Sequence, residues 1–191
     1  MEEDLKQRPV NLVKVVLFGP ESTGKTTLAR KLADHYNTEW VPEFARDYLQ
    51  EKFDRTQIIC EYEDLLPIAR GQIQLENELA QKANRVLICD TDILETQIYS
   101  EQYYDGRVDP LLRKYAKINT YDLYLLTDID VPWEPDDLRD RPHQREEMFR
   151  AFEQALIDFD RNYVLLSGKL EQRMEKAIEE IDRLLKSHPD E

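Results

Sequence analysis

A β-branched apolar run, Val13-Lys14-Val15-Val16-Leu17-Phe18, leads directly into Gly19-Pro20-Glu21-Ser22-Thr23-Gly24-Lys25-Thr26. The octet fits the P-loop pattern G-x-x-x-x-G-K-[ST] at every fixed position. Such a loop turns successive backbone N–H groups toward one point and so makes a concavity for a polyphosphate. It requires a strand before it and the positive end of a helix after it. Thr26-Thr27-Leu28 onward supplies that helix, with Leu28 and Leu32 one turn apart. Gly19, Glu21, Ser22, Thr23, Gly24 and Thr27 are therefore expected to surround ATP, with Lys25 reaching its β- and γ-phosphates and the Thr26 hydroxyl offered to Mg²⁺.

The rest of the chain extends the same architecture. Strand candidates lie at residues 13–18, 39–41, 86–89, 123–126 and 163–166. Helical patterns fall between them: 65–83, bent near Pro67 or begun upstream of it, 93–104, 111–118, and apolar stripes from Met148 to Phe159 and from Leu170 to Leu185. Alternation with short connections predicts an α/β fold of three layers, a parallel sheet of about five strands with helices on both faces. A P-loop core of this size is that of a small kinase. The strand order is not readable from spacing. One domain is expected over 12–187, with 1–11 and 188–191 as loose tails.

Forty acidic against 26 basic side chains give a formal charge of −14. That balance repels nucleic acid and anionic membranes, so neither is an expected partner. No apolar run approaches the length of a membrane span, and the charged start Met1-Glu2-Glu3-Asp4 is unlike a signal peptide. A soluble, cytoplasmic protein is expected; a homo-oligomer remains open. Cys60 and Cys89 are too few for a disulfide framework or a zinc site.

Carboxylates stand at two further strand ends. Asp90, closing Cys89-Asp90-Thr91-Asp92, either joins Thr26 at Mg²⁺ or caps the following helix. Asp92 either caps that helix or accepts hydrogen bonds from a substrate hydroxyl. Glu43 follows Val41-Pro42 outside the second strand, where ligands of open α/β sheets sit. It is placed to take a proton from an attacking hydroxyl, with Arg46 one turn on to orient it or to bind phosphate; an acidic helix start is the alternative. After the fourth strand, Trp133 and a basic cluster of Arg139, Arg141 and Arg145 lie among Pro132, Pro135 and Pro142. Prolines there leave a loop able to act as a lid, whose arginines brace phosphoryl charge or simply pair with neighbouring aspartates. Trp133 either stacks on a substrate ring or packs the lid. Ser167-Gly168, after the last strand, is placed toward the adenine.

On these residues the chain resembles the ribosylnicotinamide kinase domain at the C-terminus of NadR-type NAD-biosynthesis proteins. The resemblance runs from about Val13 to the last helix. It is carried by Glu21 to Thr26, the Glu43…Arg46 pair, Gly71-Gln72, Asp90-Thr91-Asp92, Thr96-Gln97, and Trp133 followed six residues later by Arg139. It implies ATP-dependent phosphorylation of the 5′-hydroxyl of nicotinamide riboside to nicotinamide mononucleotide. Lys25 and Thr26 would then hold ATP and Mg²⁺, with Asp90 completing the metal site. Glu43 also resembles the carboxylate that serves as base in deoxynucleoside kinases. Asp92 and Gln97 would bind the riboside, Trp133 would face its pyridinium ring and Arg139 would brace the phosphates. A cationic ring suits an acidic, aromatic pocket.

Asp137 stands where the family's lid commonly has Gly. The short segment ahead of the first strand is too small for an adenylyltransferase or DNA-binding domain, and His35, His143 and His188 form no H-x-G-H motif, so neither activity is expected of this chain alone. Two other readings share the P-loop: a kinase for a deoxynucleoside, and a switch or ATPase working on a protein partner. For a GTPase, Thr127-Asp128-Ile129-Asp130 offers no guanine-reading motif.

Overall fold

A computed structural model describes residues 2–188. Its centre is a five-stranded, wholly parallel sheet in the order β2-β3-β1-β4-β5, formed by β1 (Val13–Phe18), β2 (Trp40–Val41), β3 (Val86–Asp90), β4 (Leu123–Thr127) and β5 (Tyr163–Leu166). In the central strand, Val15 is paired with Ile88 of β3 on one side and Leu123 of β4 on the other. Every residue of β1 is buried, as a strand covered on both faces requires.

The two-residue period of β1 divides the core. Val13, Val15 and Leu17 face α1 (Lys25–Tyr36) and α7 (Leu170–Ser187), where Leu28, Leu32, Ala177 and Ile181 complete one layer. Val16 and Phe18 face α3 (Leu65–Ala80), α4 (Ile93–Tyr103), α5 (Pro110–Ile118) and α6 (Arg145–Asp158). The Phe18 ring meets Tyr124 and Phe152 edge-on at 5.2 and 4.9 Å, worth about 1 kcal/mol each beyond burial. The expected three layers are present.

Three features differ from the sequence reading. A further helix, α2 (Phe44–Thr56), follows β2; it buries none of its residues fully and packs on α3. Pro67 neither bends nor breaks α3, because it falls in the first turn, where its missing N–H has no intrahelical partner to lose. The N-terminal segment is not loose. Leu5 is fully buried, Asn119 holds the Leu5 carbonyl, and Asn77 holds the Lys6 carbonyl and the Arg8 amide. Below it, Glu76 accepts from Gln7, Lys14 and Tyr121 in one buried network. His188 caps α7, and the remainder of the expected C-terminal tail lies outside the described residues. Among the described residues no helix is long and apolar enough to cross a membrane.

Candidate active site

β1 delivers the P-loop to the carboxyl edge of the sheet. Gly24 has φ +85°, a left-handed conformation that favours glycine, at the N-cap of α1. At Gly19, φ +144°, a Cβ would come within 2.6 Å of the Thr127 hydroxyl oxygen. β4 therefore lies against the loop, and the Thr23 and Thr127 hydroxyls bond across the gap at 2.6 Å. Lys25 donates to the Gly19 and Pro20 carbonyls, both at 2.8 Å, and its Nζ lies 3.9 Å from the Glu95 carboxylate.

Thr26 Oγ1 donates to Asp90 Oδ2 at 2.5 Å, so the hydroxyl and the strand-end carboxylate expected to share Mg²⁺ are brought together. Asp90 Oδ1 is buried without a hydrogen-bond partner, an oxygen with unused capacity for a hard cation. Burial first, and then the negative charge of Glu43, push the Asp90 carboxyl up to about 6. Burial likewise pushes Glu21 up to about 7.

A cavity of about 440 Å³ opens from the P-loop between α2, α3, α4 and the loop after β4. Residues from Glu21 to Thr27 line it, together with the charged side chains of Glu43, Arg46, Glu95 and Arg139. Apolar and aromatic side chains complete the lining: Leu49, Leu65, Ile68, Tyr99, Tyr103 and Tyr104. Glu43 occupies the N-cap position of α2 but makes no capping bond with its own side chain.

The loop after β4 closes over this cavity. Asp136 joins the two arginines that line it: Arg46 Nη1 donates to Asp136 Oδ2 at 2.8 Å, and Arg139 Nε lies 3.1 Å from the same oxygen. Arg139 also donates to the Glu134 carbonyl. Asp137, the departure in the lid, accepts from Gln50 of α2 at 3.3 Å. The Glu134 amide donates to Ser22 Oγ at 2.9 Å, which ties the lid to the P-loop.

Five expected residues fall elsewhere. Asp92 is a helix cap: Oδ1 accepts from the Glu95 amide at 3.2 Å, Oδ2 accepts from the Tyr124 hydroxyl at 2.7 Å, and the side chain does not line the cavity. Burial raises its carboxyl to about 6. Gln97 points to the other side of α4, where it donates to Glu101 at 2.9 Å. The Trp133 ring is not part of the cavity wall and has the Arg145 guanidinium 5.7 Å from its centroid. Ser167 is exposed, its hydroxyl given to Asp128 Oδ2 at 2.8 Å. Arg141 stacks 3.6 Å above the Tyr103 ring, behind the wall and not in it.

Other residues enter the site unannounced by the sequence. Glu95 is 4% exposed and pushed well above the usual carboxylate range by burial. Its signal was an acid in the otherwise apolar start of α4, with Tyr99 and Tyr103 at four-residue steps beyond it. Arg173, 2% exposed within the apolar stripe of α7, donates to the Thr23, Asp128 and Gly168 carbonyls and pairs with Asp130, holding P-loop, lid base and last turn together.

The profile of the AAA domain family matches residues 14–173. The trifunctional NAD biosynthesis/regulator protein NadR of Escherichia coli (strain K12) is 32% identical over 160 residues, which cover 81% of this chain and 39% of that protein. NadR of Salmonella typhimurium (strain LT2) is 31% identical over 151 residues, 79% of this chain and 36% of that one. This chain thus spans under two fifths of the length of these curated relatives. A crystal structure of a NadR protein in complex with NR has the same fold, with TM-score 0.74 and 23% identity over 90% of this chain and 50% of that one. So has deoxyadenosine kinase from M. mycoides, with TM-score 0.66 and 12% identity over 90% of this chain and all of that one.

Proposed function

This chain belongs to the AAA domain family, and we propose that it is a small-molecule kinase moving the γ-phosphoryl group of ATP to the 5′-hydroxyl of nicotinamide riboside. The observation that carries the reading is that one cavity is lined by the P-loop, by Glu43 and by a set of apolar and aromatic side chains. A P-loop protein that merely hydrolysed ATP would have no use for such a chamber. The likeness to NadR over four fifths of the chain, together with the NadR structure in complex with NR, supports nicotinamide riboside as the acceptor.

Under this reading Lys25 leaves its P-loop carbonyls to bind the β- and γ-phosphates, and loop amides cradle them. Thr26 and Asp90 are the side chains that would hold Mg²⁺, whose contribution is to neutralise phosphate charge. Glu43 accepts the proton of the attacking 5′-hydroxyl, and Arg46 and Arg139 brace charge on the transferred group. Tyr99, Tyr103 and Tyr104 offer ring faces to the pyridinium cation, a role the lid's Trp133 does not fill. The lid excludes water, so phosphoryl transfer competes well with hydrolysis. A reaction supplied by ATP in this way fits a cytoplasmic protein.

The test is consumption of Mg²⁺-ATP with and without nicotinamide riboside, with thymidine and deoxyadenosine as comparisons. ADP formed only with the riboside, alongside the mononucleotide, is the expected result. Stimulation by a deoxynucleoside alone would replace the acceptor. Steady ATP loss indifferent to every acceptor would overturn the kinase reading.

A further inference from the structure

Glu43 sits where a helix start normally consumes a carboxylate, yet its own side chain makes no capping bond. The polar groups on either side of it are satisfied from another element. Gln72 of α3, 3% exposed, spans both: Oε1 accepts from the Phe44 amide at 2.8 Å, and Nε2 donates to the Pro42 carbonyl at 3.3 Å. The preceding residue completes the dock. A Cβ on Gly71 would lie 2.2 Å from the Phe44 ring, so only glycine lets that ring rest against α3. Ring and carboxamide together seat the 42–44 corner on α3, with Glu43 between two held peptide groups.

We propose that Gln72 is a positioning residue for phosphoryl transfer: by clamping the peptide groups on both sides of Glu43 it fixes the corner that carries this carboxylate at the cavity. The proposal rests on Glu43 being the base. Small displacements at a reaction centre are costly; a shift of about 1 Å can cost about 10²-fold in rate. Gln72 also borders the cavity, so direct contact with the acceptor is the competing role. The two roles differ in how the loss depends on Glu43.

The experiment is a double-mutant cycle on the full chain with Gln72→Met, Glu43→Gln and the pair, read as kcat and KM for each substrate. Methionine keeps the length and volume of Gln72 and removes both bonds. Gln72→Asn, too short to reach both groups, serves as a second variant. Stabilisation by Mg²⁺-ATP against heat shows that each variant is folded. The expected result is a fall in kcat of about tenfold or more for Gln72→Met and Gln72→Asn, with both KM values little changed. In the Glu43→Gln background the same change should cost less than about twofold, because a residue acting through Glu43 has nothing left to position. A loss that persists in full there, or that appears as a raised acceptor KM, overturns the proposal in favour of direct contact. Full turnover by Gln72→Met beside a crippled Glu43→Gln removes the clamp and leaves the base. Near-normal turnover by Glu43→Gln removes the base, and the proposal with it.

Discussion

Replacing Asp90 with Asn should stabilise the ligand-free chain at neutral pH while disabling it. Asp90 is 1% exposed, and its Oδ1 has no partner. Burial, reinforced by Glu43, raises its carboxyl from 3.8 to about 6. Unfolded, this group loses its proton near pH 4; folded, it keeps the proton until about pH 6. Stability from this group is therefore fully present below pH 4, falls as pH rises between the two values, and settles at a constant deficit above the folded pKa. Two pH units correspond to about 3 kcal/mol. Asparagine never ionises and still accepts from Thr26, but its amide N–H groups are left buried at a cost of about 1 kcal/mol. The variant should thus be more stable by about 2 kcal/mol at pH 7, or roughly 4–8 °C in Tm for a chain of this size. Near pH 4 the order should reverse, with the variant lower by about 0.5 kcal/mol. Thermal unfolding in EDTA from pH 4 to 8 measures this directly. Asp92 and Glu21 contribute to both proteins and largely cancel in the difference, whereas Glu95, which the Asp90 charge helps to push up, is relieved in the variant and adds to its gain at neutral pH. A stability difference that does not change with pH would refute the reasoning. Mg²⁺-ATP should then raise the Tm of the wild-type chain more than that of the variant, and phosphoryl transfer by the variant should fall ~10²-fold or more.

Lys25→Ala should abolish phosphoryl transfer, and near-normal turnover in the acceptor assay would sink the P-loop assignment. Tyr99→Leu should raise the acceptor KM about tenfold, as expected when a ring is lost from a cation's pocket, whereas Trp133→Ala should change it less than about twofold; the opposite ranking would return the ring contact to the lid. Arg173→Met should cost about 3 kcal/mol in urea unfolding, because three carbonyls and Asp130 lose a buried partner. A cost under about 1 kcal/mol would show that the P-loop and the β5–α7 turn are held by other means.

What the sequence displays about this fold is what repeats locally. The octet at Gly19 is legible because four of its positions are fixed by one job, and β1 because both of its faces are apolar. Helix α2 was not legible, since its inner side meets α3 and the cavity and it contributes no fully buried residue. Leu5 was a lone apolar residue in a charged run, pinned by asparagines some seventy and more than a hundred residues away. Gln97 was placed one residue wrong in angular terms: Thr96 lines the cavity, and a step of about 100° carries Gln97 to the far side of α4.

Glu43 and Asp92 show most clearly where local reading ends. Each is an acid at a strand end, each occupies the N-cap of the helix that follows, and nothing within five residues separates a cap from a chemical group. The distinction comes from remote partners. Tyr124, thirty-two residues beyond Asp92, takes one of its oxygens while the Glu95 amide takes the other, and the side chain is spent. Gln72, twenty-nine residues beyond Glu43, holds the peptide groups on both sides of it, and the Glu43 carboxylate makes no capping bond and lines the cavity. Whether an acid at such a corner is available for chemistry depends on which groups take its own oxygens and on what holds the peptides around it. Identifying those partners is therefore a more discriminating test of a candidate base than the acid's own position along the chain.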